Sequence, residues 1–177
     1  MCGGRMRRFS GKIRGAMGSE GTARPGYMIR AFDAAADAAE VAAILREARE
    51  AAKWSEEALR ETASLPGVAA FVSERGGTIT GIVVGRQVLD EAEILNLAVR
   101  QGVRRQGEGR ALVGQILRGF GQRQVSRVFL EVRESNAGAI AFYRELGYAA
   151  VGARKDYYRD PIEAATVMEL WLAKSTD

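Results

Sequence analysis

The sequence contains no histidine and only one cysteine, Cys2. Without histidine the chain cannot form a Ser-His-Asp or Cys-His catalytic site or a His-ligated zinc site. One cysteine allows neither an internal disulfide nor a thiolate cluster around zinc or iron–sulfur. No apolar run approaches the roughly 18–20 residues of a membrane-spanning helix, and the basic first residues lack the apolar stretch of a secretory signal. We therefore expect a cytoplasmic protein without a metal centre, whose acid–base chemistry relies on Asp, Glu, Tyr, Lys or water.

Positive charge is concentrated at the N-terminus. Residues 1–26 hold six Arg and Lys residues against Glu20, a charge of +5, which leaves −1 for residues 27–177 because the whole chain carries +4. Such a tail could contact nucleic acid or the ribosome. Because it is glycine-rich and lacks apolar periodicity, we favour a disordered extension, or a start assigned upstream of Met17 or Met28. Residues 27–177 are then the folded domain.

The length of 177 residues and the apolar share of 47% suit one globular domain. Predicted helices begin at Asp37, in a capping box with Glu40, at Ser55, near 109 and at Asn136. Hydrophobic patterning predicts strands at about 27–32, 68–74, 78–87, 91–99, 125–132, 148–152 and 166–172. This order predicts an α/β (α+β) fold whose mixed central sheet of about six to seven strands is flanked by about four helices. Residues 91–132 read as a strand–loop–helix–strand crossover with parallel strands.

An arginine- and glycine-rich segment joins the first strand of this crossover to its helix. Its sequence is Arg104-Arg105-Gln106-Gly107-Glu108-Gly109-Arg110. Glycines let the backbone approach a ligand closely, and the free N–H groups of a helix start bind phosphate oxygens. The segment therefore predicts an anion or pyrophosphate loop, with a solvated turn as the alternative. We expect the Glu108 carboxylate to face solvent, because it would repel a bound pyrophosphate.

Two further features have both a structural and a chemical interpretation. Glu131 ends an apolar strand on the face opposite Leu130; its carboxylate must be solvated, paired with a cation such as Arg133, or chemically active. Asn136 and Tyr143 lie two turns apart on one helix face. Asn136 could cap the helix and Tyr143 could belong to the core, or the two could line one ligand path.

The order of these features resembles the GNAT (Gcn5-related N-acetyltransferase) family. The resemblance rests on a strand, Arg-x-x-Gly-x-Gly, a helix, a strand and Asn-x-x-Ala-x-x-x-Tyr, and it extends over about 27–172. Within the family the sequence is similar to bacterial ribosomal-protein-alanine N-acetyltransferases (RimI type). That closer similarity is carried by residues 54–57, 88–99, 130–136 and 157–160.

The resemblance implies acetyl-CoA as co-substrate and assigns a role to each site residue. Glu131 would be the general base and Tyr143 the general acid. The cofactor would be held at the pantetheine arm, the pyrophosphate and the helix start by Leu97, Ala98, Val99, Arg104, Arg105, Gln106, Gly107, Glu108, Gly109, Arg110 and Asn136. No metal is needed for this chemistry.

The resemblance also implies a protein N-terminus as acceptor, in particular the alanine of small-subunit ribosomal protein eighteen. Trp54, Tyr157 and Tyr158 would then bind substrate, although the two tyrosines could equally be loop packing. Acidic side chains at Asp90, Glu91 and Glu93 could attract a basic peptide or simply be solvated.

Other acceptors and another class of function remain open from the sequence. The alternative acceptors are a small-molecule amine and a lysine side chain. A different class would be an acyl-CoA-binding sensor or a tail-mediated RNA-binding module without turnover. A peptide acceptor predicts an open groove between the Trp54 helix and the Tyr157 loop, and a small acceptor predicts a closed pocket there.

Overall fold

The computed structural model describes residues 26–173. The predictions for residues 1–25, including Cys2, lie outside them. Within the described residues the chain forms seven strands and four α-helices, which confirms the predicted fold class. In chain order these are β1 (Met28–Ala31), α1 (Ala38–Glu47), α2 (Glu56–Ser64), β2 (Val68–Arg75), β3 (Thr78–Val88), β4 (Glu91–Val99), α3 (Glu108–Gln122), β5 (Arg127–Arg133), α4 (Ala137–Glu145), β6 (Ala149–Arg159) and β7 (Ile162–Trp171). No helix in this part of the chain is both long and apolar enough to cross a membrane.

The strands form one sheet in the order β1-β2-β3-β4-β5-β7-β6. Strands β4 and β5 pair in parallel, and all other neighbours are antiparallel. The predicted crossover through α3 is therefore confirmed. Apolar side chains of α1 and α2 pack in one cluster with β2, β3 and β4, whereas α3 and α4 belong to a second cluster with β4, β5 and β7.

The two N-terminal helices begin in different ways. At α2, Ser55 caps the helix as predicted, and its hydroxyl accepts a hydrogen bond from the Ala58 N–H at 3.1 Å. At α1 the predicted capping box is wrong. The Asp37 carboxylate instead accepts hydrogen bonds from the Arg30 guanidinium at 2.6 and 3.0 Å, and Glu40 accepts one from the Ile79 N–H at 3.1 Å. The charge-assisted hydrogen bonds between Asp37 and Arg30 on β1 are stronger than a hydrogen bond from a neutral backbone N–H at the helix start would be.

The parallel pair is short, and this positions the site. Pairing of β4 with β5 extends over Glu91–Ile94 and Arg127–Leu130 and goes no further. On its other side, the register of β4 with β3 shifts between Val84 and Gly85 and skips Leu95. Such a bulge bends a strand and adds local twist. The remaining part of β4, through Val99, leaves β5, and a space opens between the two strands.

The C-terminal hairpin is longer than the sequence predicted. Strands expected at 148–152 and 166–172 extend over Ala149–Arg159 and Ile162–Trp171. The expectation of a loop at Tyr157 was therefore wrong, because Tyr157 and Tyr158 lie in β6. Strand β6 is an edge strand and is exposed along nearly its whole length. Because neither face of β6 is buried, its sequence does not show the alternation of apolar and polar residues that marks a half-buried strand.

Candidate active site

A cavity of about 980 Å³ lies between the diverging ends of β4 and β5. This volume is in the range typical of small-molecule and cofactor sites. Every predicted site residue lines the cavity except Gln106 and Glu108. The lining residues come from segments as distant in sequence as Trp54 and Tyr158, so the fold brings together what the sequence presents as separate motifs.

One wall of the cavity is the start of α3. Gly107 is the N-cap residue and has a φ of +91°, a left-handed conformation that suits glycine. A Cβ atom there would lie 3.3 Å from the Tyr27 hydroxyl. Gly107, Gly109 and Arg105 line the cavity, so the unpaired N–H groups of the first helical turn are available to an anionic ligand.

Glu108, in the same turn, is buried rather than solvated, so the expectation that it faces solvent was wrong. Its residue exposure is 1%. The carboxylate accepts hydrogen bonds from Ser73 Oγ at 2.7 Å and Thr80 Oγ1 at 2.6 Å, and it pairs with Arg75 Nε at 2.5 Å. These donors on β2 and β3 compensate the burial of the charge. The carboxylate is thus directed into the protein and does not oppose an anion at the helix start.

The Glu131 carboxylate lines the cavity with 11% of its side chain exposed. Its Oε1 atom lies 2.5 Å from Arg154 Nε. A hydrogen bond to this carboxylate, together with burial and nearby carboxylate charge, raises the pKa of the Tyr157 hydroxyl to about 12. Arg133, the cation suggested by the sequence, pairs with Glu163 at 3.0 Å instead. Glu131 is therefore both paired and placed at the cavity surface.

Sequence reasoning did not single out Glu93 from its acidic neighbours. Glu93 lines the cavity, whereas Asp90 accepts a hydrogen bond from Ser126 and Glu91 pairs with Arg127. Burial, and then the charge of Glu131, raises the pKa of the Glu93 carboxyl. Only the parallel register of β4 and β5 reveals that these two carboxylates share a face. Of the three acidic residues suggested to attract a peptide, Glu93 is the one that lines the cavity.

Tyr143 and Asn136 lie along the wall formed by α4. Tyr143 is 7% exposed and packs edge-on against Phe142 and Tyr148, with ring centroids 5.1 and 5.5 Å apart. Burial raises the pKa of its hydroxyl, so that group keeps its proton at neutral pH. Asn136 caps α4 by accepting a hydrogen bond from the Ala139 N–H at 3.0 Å, and it also lines the cavity.

The remaining predicted residues surround the cavity from two sides. Tyr158 donates a hydrogen bond to the Glu131 carbonyl at 3.4 Å, and the Arg133 guanidinium lies over its ring at 4.1 Å. Trp54 precedes α2 on the opposite side. Asn96, which the sequence analysis did not select, donates a hydrogen bond to the Ala52 carbonyl at 3.0 Å and so holds the Trp54 segment against β4.

Comparison with known proteins defines the class of enzyme. The Acetyltransferase (GNAT) family matches residues 38–148, and the chain belongs to this family. It is accordingly an acetyl-CoA-dependent N-acetyltransferase.

Particular relatives are closer still. The chain is 39% identical over 102 residues to ribosomal protein bS18-alanine N-acetyltransferase of Escherichia coli K12, covering 56% of this chain and 69% of that protein. The crystal structure of the ribosomal-protein-S18-alanine N-acetyltransferase from Escherichia coli superposes with a TM-score of 0.76 at 31% identity, covering 85% of this chain and 97% of that one. A streptothricin acetyltransferase from Bacillus anthracis, solved with acetyl coenzyme A, shares the fold at 21% identity and a TM-score of 0.58, covering 63% and 66% of the two chains.

Proposed function

We propose that this enzyme transfers the acetyl group of acetyl-CoA to the N-terminal α-amine of alanine in ribosomal protein bS18. The observation that carries the proposal is the cavity between β4 and β5, where Glu131, Tyr143 and the start of α3 meet. The similarity to bS18-alanine N-acetyltransferases supports the choice of acceptor. Residues 27–177 form the catalytic domain in this proposal, and the protein works in the cytoplasm on a protein substrate.

The cofactor is bound mainly by backbone groups. The first N–H groups of α3, with Gly107 and Gly109 beside them, bind the pyrophosphate, and the helix dipole favours its charge. Beyond Ile94, β4 no longer pairs with β5. The backbone of residues 97–99 on that edge is therefore free to bond the pantetheine arm as a neighbouring strand would.

The chemical step is a proton-coupled acyl transfer. An α-ammonium has an ordinary pKa of about 8, so it must lose a proton before its nitrogen attacks the thioester carbon. Glu131 accepts that proton, directly or through one water. A backbone N–H near Leu97 stabilises the oxyanion that develops. As the carbon–sulfur bond breaks, the protonated Tyr143 hydroxyl donates its proton to the departing thiolate. The attacking nitrogen loses its second proton as the amide forms, and this proton restores the Tyr143 hydroxyl.

The acceptor enters between the Trp54 segment and β6. Tyr157 is 45% exposed and lines the cavity with Glu131, whose carboxylate raises the pKa of its hydroxyl, so it lies where an approaching peptide N-terminus would pass. Trp54 and Tyr158 border the same cavity from opposite sides. Aromatic side chains in these positions provide apolar contact for a short side chain such as that of alanine.

Acetyl transfer to two matched peptides tests the proposal. One peptide carries the first six residues of bS18, beginning with alanine and ending with an added lysine; the other is identical except for a blocked α-amine. Mass spectrometry locates the acetyl group. We expect modification of the free α-amine alone. Acetylation of the lysine in both peptides, or of neither peptide while acetyl-CoA still binds, would contradict the proposed acceptor.

A further inference from the structure

The cavity contains a second carboxylate close to the proposed base. In the parallel register Glu93 on β4 pairs with Phe129 on β5, so Glu131 lies two residues further along the same face of the sheet. Both side chains line the cavity. Diagonal neighbours at this separation are within reach of each other when the side chains are long.

The two carboxylates differ in their partners. Glu131 pairs with Arg154, whose Nε lies 2.5 Å from the Glu131 Oε1 atom. Among residues 26–173 the Glu93 carboxylate makes neither an ion pair nor a hydrogen bond to another side chain. Arg154 pairs with Glu131 and Arg133 pairs with Glu163, so neither arginine makes an ion pair with Glu93.

An unpaired carboxylate beside a second negative charge is an unfavourable arrangement in the free enzyme. Burial and then the charge of Glu131 raise the pKa of Glu93, and the charge of Arg154 offsets this only in part. A cation placed between the two carboxylates would remove the repulsion. The acceptor itself supplies such a cation, because an α-amine with a pKa of about 8 arrives mainly as ammonium at neutral pH.

We propose that Glu93 binds the ammonium group of the acceptor together with Glu131 and thereby selects cationic amines for this cavity. An ammonium group has three N–H donors, enough for both carboxylates. One proton then passes to Glu131 in the chemical step, and Glu93 keeps the remaining amine in place. The inference rests on the proposed function, which supplies the α-amine, and it makes Glu93 a determinant of acceptor binding rather than of proton transfer.

Steady-state kinetics of Glu93→Gln, with Glu91→Gln as the matched control, test this role. Glu91 lies two residues earlier on the same face of β4 but pairs with Arg127 away from the cavity. For Glu93→Gln we expect KM for the alanine peptide to rise on the order of tenfold, the scale of one hydrogen bond between charged groups. We expect kcat to change less than about threefold, because the proton acceptor of the chemical step is retained. The control is expected to leave both constants unchanged.

Peptide affinity is then measured in the presence of CoA, which carries no acetyl group to transfer. Comparing the free-amine peptide with its N-acetylated form shows whether Glu93 recognises the charge of the amine or only the shape of the peptide. Glu93→Gln should weaken binding of the free-amine peptide and leave binding of the N-acetylated peptide unchanged. Glu93→Asp, which keeps the charge, should retain part of the preference for the free amine. These variants change a side chain at the cavity surface, and their melting temperatures report whether they fold.

Several results would overturn the inference. They are an unchanged KM, an equal loss of affinity for both peptides, or a large fall in kcat at constant KM, which would make Glu93 the base instead. A wild-type enzyme that leaves the free-amine peptide unmodified would refute the proposed function, and this is seen before any variant is made. Wild-type transfer with no effect of Glu93→Gln would refute only the ammonium site.

Discussion

Tyr143 and Tyr148 illustrate how neighbouring residues of one type differ in chemistry. Both rings are buried and pack against each other. The Tyr148 hydroxyl is buried without a hydrogen-bond partner, whereas Tyr143 lines the cavity. Burial raises the pKa of both hydroxyls. Only Tyr143 can deliver its proton to a ligand in the cavity.

We predict that Tyr143→Phe lowers kcat by about 10²–10⁴-fold, the usual contribution of a general acid. The substitution keeps the ring, so the packing against Phe142 and Tyr148 is retained and the melting temperature should change little. Tyr148→Phe is the matched control and should leave kcat unchanged, with equal or higher stability because an unpartnered buried hydroxyl is removed. Parallel losses of activity and stability in Tyr143→Phe would instead indicate a purely structural residue.

Charged residues also mark the limit of prediction from sequence at this scale. The strand face of Glu131 follows from alternation along β5, and its place in the site was implied by the family resemblance. Its cation follows from neither, because Arg154 is 23 positions away on a strand that the sequence placed only in part. Glu108 similarly pairs with residues 28 to 35 positions away. Local sequence patterns therefore predict where a carboxylate lies on its strand or helix, whereas its hydrogen-bond and ion-pair partners are determined by tertiary packing.

At the scale of elements, helix α3 connects the cofactor loop to the rest of the sheet. Its apolar residues Leu112, Ile116 and Phe120 follow helical spacing and are fully buried. Its first turn is fixed by the bonds of Glu108 to β2 and β3. The start of the helix, and with it the proposed pyrophosphate site, is thereby held at a defined position.

We predict that Glu108→Ala lowers the free energy of unfolding by about 3 kcal/mol, because it leaves Arg75 and two buried hydroxyls without their shared acceptor. Acetyl-CoA affinity should fall as well, since the first turn of α3 loses its anchor. Chemical denaturation and isothermal titration calorimetry measure the two effects. Glu56→Ala, at the equivalent first position of α2, is the control: its pair with Arg60 is exposed and should contribute less than about 1 kcal/mol. Equal effects of both substitutions would contradict this account.

Elements with a regular pattern were predictable, and the C-terminal hairpin was not. Helices α2 to α4 and strands β2 to β5 follow caps, glycine turns and apolar periodicity. Strand β6 is instead exposed on an edge, and its charged residues Lys155 and Asp156 lie where its register with β7 shifts, between Arg154 and Tyr158. Its length depends on the neighbouring β7, which a local reading of the sequence does not include.

At the scale of the whole molecule, the site results from sheet topology. The crossover through α3 makes β4 and β5 parallel neighbours, and the bulge at Leu95 accompanies the end of their pairing. The cavity between these two strands is lined by residues from the Trp54 segment, the loop before α3, α4 and β6. The sequence motifs predicted most of these residues. The proximity of Glu93 to Glu131 depends on register and could be read only from the structure.

The most direct test of the central claim is the rate of acetyl transfer by Glu131→Gln, measured beside its affinity for acetyl-CoA. The substitution keeps the size of the side chain and removes its ability to accept the proton of the amine. We predict that kcat falls by about 10²–10⁴-fold while the dissociation constant of acetyl-CoA remains the same, because backbone groups elsewhere in the cavity bind the cofactor. Unchanged turnover at neutral pH would contradict the assignment of Glu131 as the base and, with it, the mechanism proposed for this cavity.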